Sequence, residues 1–191
     1  MEKVEITIYN IDELKEKAKK HAIDKIRDVL RTIDQSSEDL KEYFTQELTE
    51  RGYPVENINW SLGYCQGDGM AFYGTIPDLQ KLAVRLGFTM EEGTILADSA
   101  SLKIIKSWFG NHYSHWKTME LNCDDLPDAT FDSDLFERFS EALEKDIRKT
   151  SQELEAKGYE IIESNESDES CISFAEANEY KFLSTGEIWR H

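Results

Sequence analysis

Residues 58–74 read INWSLGYCQGDGMAFYG. An apolar, aromatic run meets Gln66-Gly67-Asp68-Gly69, and a second aromatic run follows at once. Strand-forming residues on both sides of a Gly-Asp-Gly cluster predict a β-hairpin. Asp-Gly is a favoured two-residue hairpin loop. With Asp68-Gly69 in that loop, Gln66 faces Ala71 and Tyr64 faces Tyr73. Side chains alternate along a strand. This register puts Trp60, Leu62, Tyr64 and Tyr73 on one face and Cys65, Met70, Phe72 and Ile76 on the other. Both faces are then apolar. Either both are covered, or one is an exposed aromatic platform able to hold a small ligand or peptide.

The flanking sequence supplies helices and a second hairpin. EITIY (5–9) alternates as a short strand, and Asn10 with Glu13 has capping-box spacing. Ile11, Leu14, Ala18, Ala22, Ile26, Val29, Leu30 and Ile33 then recur at three- and four-residue steps, predicting one amphipathic helix. Ser36 or Ser37 starts a second, carrying Leu40, Tyr43, Phe44 and Leu48 and closed by Gly52. Pro77 suits the first turn of a third, with Leu79, Leu82, Ala83 and Leu86 inward and Gly87 at its end. Residues 88–100 read as a looser segment. SLKIIKSWF (101–109) and HWKTMELNC (115–123) read as paired strands around GNHYS. A long acidic helix follows from Ser133 to Lys157, its stripe formed by Leu135, Phe136, Phe139, Leu143, Ile147 and Leu154. GYEII (158–162) reads as a short strand and SNESDES (164–170) as a polar break. Glu169 to Ala177 reads as one or two helical turns, and EYKFLSTGEIWR (179–190) as a terminal hairpin turning at Ser184–Gly186. Local hairpins with helices between them predict an α+β fold: an antiparallel sheet built from hairpins, with amphipathic helices packed on it. At 191 residues, without repeats or long linkers, a single domain over 1–191 is expected.

Lys and Arg number 22 against 39 Asp and Glu, a net charge of −17. Such a chain is repelled by nucleic acid and by anionic membranes, and it favours a basic surface on a protein partner. Cys65, Cys123 and Cys171 are odd in number and lack framework spacing, which predicts free thiols in a reducing compartment. No apolar run approaches the roughly 20 residues that span a bilayer. A cytoplasmic protein is expected.

Four residues are candidates for catalysis: Gln66, Asp68, His112 and His115. Asp68 has the chemistry of a base or metal ligand, with Gln66 orienting a water. His112 and His115 form an H-x-x-H pair that Cys123 or Cys65 would complete as a zinc site, or either histidine would serve as a general base. That metal-dependent hydrolase requires the two hairpin ends to converge. The preferred reading is hairpin-turn chemistry, in which Gly accepts positive φ, Asp tolerates it, and the histidines sit at a hairpin end. The segment lacks the Lys-Ser/Thr of a phosphate loop and the spaced glycines of a dinucleotide fingerprint. Cys65, facing Phe72 in the register above, reads as a core thiol. For binding, the aromatic candidates are Trp60, Tyr64 and Tyr73. The acidic candidates are Asp124, Asp125, Asp132 and Asp134, which either imitate nucleic-acid phosphates or face water.

WSLGYCQGDGMAFYG, GNHYSHWKTMEL, the opening IYNIDELKEKAKKHA and the closing FAEANEYKFLSTGEIW together resemble a family of small accessory proteins encoded by bacteriophages and prophages. The resemblance rests on an aromatic-Ser run leading into Gln-Gly-Asp-Gly, a Gly-x-x-Tyr-x-His segment and a Glu-Ala-Asn-Glu-Tyr close. Residues 89–100 and 124–134 depart from the pattern. The family has no established activity, although some members carry an antitoxin label, and it supplies no catalytic set or cofactor. It implies a protein that binds and inhibits a host or defence protein. Charge and resemblance together favour a binding protein over an enzyme.

Overall fold

The computed structural model describes residues 5–107, 113–123 and 132–189. Its described elements are six α-helices and a four-stranded antiparallel sheet of order β1-β2-β3-β4, an α+β fold. The chain divides into two compact units, Lys41–Tyr159 and Met1–Leu40 with Glu160–His191.

The larger unit holds the sheet: β1 (Asn57–Ser61), β2 (Gly69–Thr75), β3 (Leu102–Lys106) and β4 (Met119–Cys123). Ser61 pairs with Gly69, Trp60 with Met70 and Ile58 with Phe72. This differs from the expected register. Pairing stops at Ser61 and Gly69, so residues 62–68 form a seven-residue loop in place of a two-residue turn. Trp60, Met70 and Phe72 therefore share one face, and Tyr73 lies on the other with Ala71. Met70, Ala71, Phe72 and Tyr73 are all buried, so this length of β2 is covered on both sides.

Trp60 packs edge-on against Phe44, with ring centroids 5.5 Å apart. Phe44 lies on α2 (Gln35–Arg51), whose buried stripe of Leu40, Phe44 and Leu48 follows the predicted spacing. Phe72 meets Tyr53 at 4.9 Å. On α5 (Ser133–Asn165), Leu135, Phe139, Leu143, Ile147 and Leu154 are buried, and the Ser151 hydroxyl donates to the Met70 carbonyl. α5 runs straight through GYEII, the expected short strand. Gly158 is buried in helical continuity there, and the helix ends only at the polar break.

α3 (Leu79–Arg85) begins at Asp78, whose carboxylate accepts from the Lys81 amide. The expected loose segment instead contains α4 (Met90–Ser99), capped by Thr89, which exchanges hydrogen bonds with Glu92. Its outer face mixes Met90, Glu91, Thr94, Ile95 and Asp98, which weakens the apolar stripe a sequence reading relies on.

In the smaller unit, α1 (Glu16–Ile33) and α6 (Asp168–Ala177) bury Ala18, Ala22, Ile26, Leu30, Cys171 and Ala175 together with Phe182. The Asn10–Glu13 pair closes a 3-10 turn (Ile11–Glu13), and α1 starts separately at Glu16 because Leu14 is extended. Of the expected opening strand, only Tyr9 pairs, exchanging backbone hydrogen bonds with Phe182. The terminal hairpin turns where expected: Gly186 N–H donates to Leu183 O, and Leu183 N–H donates to Glu187 O.

Candidate functional site

The 62–68 loop is closed by a β-turn over Cys65–Asp68, in which Asp68 N–H donates to Cys65 O. Its third residue, Gly67, has φ +97°, the position where type II turns take glycine. Gln66-Gly67, not Asp68-Gly69, is thus the turning pair. The Asp68 carboxylate then closes the loop from inside. It accepts from the Ser61 hydroxyl at 2.9 Å, the Cys65 amide at 2.8 Å and the Tyr159 hydroxyl at 2.8 Å. Partial burial raises the Asp68 pKa, but the Cys65 amide and the Tyr159 and Ser61 hydroxyls outweigh it and hold the carboxyl below its ordinary value.

Tyr159 lies on α5, four residues after Glu155 and hence on the same helix face. Burial, then the bond to Asp68, pushes its phenol pKa up to about 12. Its ring stacks on Tyr64 with centroids 4.7 Å apart. Tyr64 sits at φ +57°, a left-handed conformation that costs a non-glycine residue about 1–2 kcal/mol. Its side chain is 66% exposed. Burial, then the charge of Asp68, raises the pKa of Glu155.

The two hairpin ends do converge. A Cβ at Gly67 would lie 2.5 Å from the Tyr113 ring, and one at Gly69 would lie 2.6 Å from Ser114 O and 3.0 Å from His115 Cα. The two glycines of the quoted stretch let residues 113–115 lie directly on the loop. His115 packs on Trp116 at 5.3 Å, and its Nδ1 accepts from the Lys117 amide at 3.1 Å. That bond leaves Nε2 carrying the proton, so the imidazole presents a donor there. Burial, then Lys117, lowers its pKa. The bonds of Asp68 run to Ser61, Cys65 and Tyr159, and none is to His115. Gln66 is exposed at the turn, and His112 lies outside the described residues. Among the described residues no three His, Cys, Asp or Glu side chains group as a metal site.

No family model, curated protein or solved structure matches the chain.

The aromatic candidates separate. Trp60 is half-buried against Phe44, Tyr73 is buried with its hydroxyl 3.0 Å from Thr118, and Tyr64 is in the loop, off the sheet. They form no common platform, because pairing ends at Ser61 and places Trp60 and Tyr73 on opposite faces. Cys65 is exposed in the loop and not a core thiol, and Cys171 is the buried one. Asp132 accepts from the Leu135 amide as the cap of α5. Asp134 is ion-paired with Arg138 at 3.3 Å. Asp124 and Asp125 lie outside the described residues.

Tyr159 and Tyr113 were not expected at the site. Tyr113 stood in the quoted histidine segment, while Tyr159 was concealed in a run read as strand. A second polar cluster in this unit joins Tyr53, Asp146 and Arg85: Asp146 accepts from the Tyr53 hydroxyl at 2.5 Å and from Arg85 at 2.6 Å. Tyr53 is 1% exposed while Arg85 is exposed and Asp146 half-buried, so this cluster runs from the core out to the surface.

Proposed function

We propose that the protein is an acidic binding protein that occupies a basic surface on a protein partner. The observation that supports this most directly is the fate of its cations. All six described arginines, Arg27, Arg31, Arg51, Arg85, Arg138 and Arg148, are ion-paired with the chain's own carboxylates. Against a net charge of −17, the guanidinium groups best suited to phosphate are thus occupied internally. The surface left to a partner is an excess of carboxylates, which complements a basic surface such as one that itself handles nucleic acid.

The sequence resemblance to phage and prophage accessory proteins supports a partner in the bacterial host or its defences, met in the host cytoplasm and inhibited by occupation of its basic groove. Among the described residues no helix is long and apolar enough to cross a membrane. The test is recovery of partners from bacterial lysate over a salt series. A specific partner retained at low salt and released as salt rises is expected. A partner indifferent to salt, or none at any salt, overturns the proposal.

A further inference from the structure

The four residues Leu86–Thr89 join α3 to α4, with Gly87 left-handed at φ +96° and Thr89 capping the second helix. Gly93 lets α4 lie close on α3, since a Cβ there would stand 3.1 Å from the Gln80 carbonyl oxygen. Two short helices joined by a four-residue turn that holds a glycine follow the layout of a helix-turn-helix, whose second helix reads DNA in the major groove. The residues of α4 exclude that use. MEEGTILADS holds no Lys, Arg or His, and its outward positions carry Glu91 and Asp98. Phosphates repel such a face.

The same face is apolar as well as acidic. Met90 is 63% exposed and Ile95 is 41% exposed, although Gly93 and Leu96 already fill the inward side of the helix. Ile95 stands four residues after Glu91 and three before Asp98, so the three share one side. Helix stability accounts for Glu91, because the dipole favours an anion in the first turn. It does not account for Asp98, because the dipole opposes an anion in the last. Among the described residues no cation pairs with Glu91 or Asp98. Their neighbour Glu92 is paired with Arg138 at 3.3 Å. A second copy of this chain, at −17, would bring like charge to this face. A basic protein surface brings the opposite charge.

We infer that the outer face of α4 is where the protein partner docks, with Met90 and Ile95 entering an apolar notch and Glu91 and Asp98 each meeting a Lys or Arg at its rim. This inference rests on the acidic-surface reading above and gives it a place on the molecule. At 1.5 Å per residue the two carboxylates lie about 10 Å apart along the helix, which sets the spacing of the partner's cations.

The test uses the full chain and two capped peptides of equal charge, an amphipathic helix of leucine with six lysines and a plain hexa-lysine. Binding is measured by calorimetry and located by amide NMR shifts, with a short DNA duplex as a third probe. The leucine-bearing peptide is expected to bind about fivefold or more tighter than hexa-lysine, with shifts centred on residues 90–98 and none from the duplex. Ile95→Gln, which keeps a good helix former there, should abolish that preference while leaving hexa-lysine affinity nearly unchanged. Asp98→Asn should weaken both peptides by about twofold or more and leave the fold no less stable. Amide spectra of each variant establish that its fold is retained. Equal affinities, shifts centred elsewhere, indifference to either substitution, or a duplex that shifts residues 90–98 overturns this assignment. Salt-sensitive binding of the peptides then leaves the acidic-surface reading standing. Failure of both peptides to bind overturns the two together.

Discussion

The loop at 62–68 and the turn at 183–187 use similar letters and close in different ways. The terminal turn, Leu183-Ser-Thr-Gly-Glu187, is closed by two bonds between its own backbone groups, with Gly186 at φ +89°. That is a three-residue hairpin loop with a left-handed glycine, specified locally. The 62–68 loop has one such bond. Its remaining closure comes from the Asp68 side chain, from Tyr159 at 91 residues' separation, and from residues 113–115 laid on its glycines. The bonds that close the first turn are local, although α1 lies against its Gly186, whereas the bonds that close the second reach distant partners. The aromatic residues that the second loop exposes are there because those partners hold them.

The sharpest way to break this comparison is to give each turn a methyl group. Gly186→Ala adds left-handed strain and drives Cβ into the Ala18 carbonyl of α1, backbone that cannot step aside. A loss of about 3 kcal/mol is expected in urea unfolding. Gly67→Ala brings similar strain, but its Cβ meets the Tyr113 ring, a half-exposed side chain able to rotate away. The expected loss is about 2 kcal/mol, accompanied by displacement of the Tyr113 ring resonances. Equal losses would mean that Tyr113 is held as rigidly as a helix backbone. Loss at Gly67 with an unmoved Tyr113 would mean that strain alone acts there.

The same division explains what the sequence made legible. α1, α2, α3 and α5 announce themselves because a buried stripe repeats at helical spacing, and Ser184–Gly186 because turn chemistry is local. α4 was missed although Thr89 and Glu92 have capping-box spacing, because its outer face interleaves Met90 and Ile95 with acids. The β1–β2 pair was legible as a hairpin but not in register. Asp-Gly is a plausible turn by itself, and only the Tyr159 hydroxyl and the Ser114 carbonyl make Asp68 a fastener and Gly69 the start of β2. Site residues read from one segment were therefore grouped wrongly. Tyr64, sought on the sheet with Trp60 and Tyr73, is presented by a helix residue that no short window contains.

Asp68→Asn keeps the size of the fastener and removes its charge. A loss of about 1 kcal/mol is expected at pH 7. The pH dependence follows from the direction of the shift. The folded pKa lies below the unfolded value, so the carboxylate's contribution is complete above about pH 4 and is lost as pH falls through the folded pKa. Wild type and Asp68→Asn should therefore differ at pH 7 and converge toward pH 2 in urea melts. A gap that persists at low pH would show that shape, not charge, closes the loop.

The smallest effect isolates the distant partner itself. Tyr159→Phe keeps the ring stacked on Tyr64 and deletes one hydrogen bond, for a loss of about 0.5–1 kcal/mol. Its spectrum also identifies the Tyr159 resonance by difference. In the wild type that phenol should ionise near 12, against an ordinary value of about 10, because burial and then Asp68 disfavour the phenolate. A raised folded pKa stabilises the fold fully below about pH 10 and progressively less as pH climbs toward 12. In Asp68→Asn the burial remains and the charge is gone, so ionisation should move part of the way back toward 10. Titration near 10 in the wild type would place the hydroxyl off Asp68. Tyr64 would then stack on an unanchored ring, and its left-handed backbone would lose the wall it packs against.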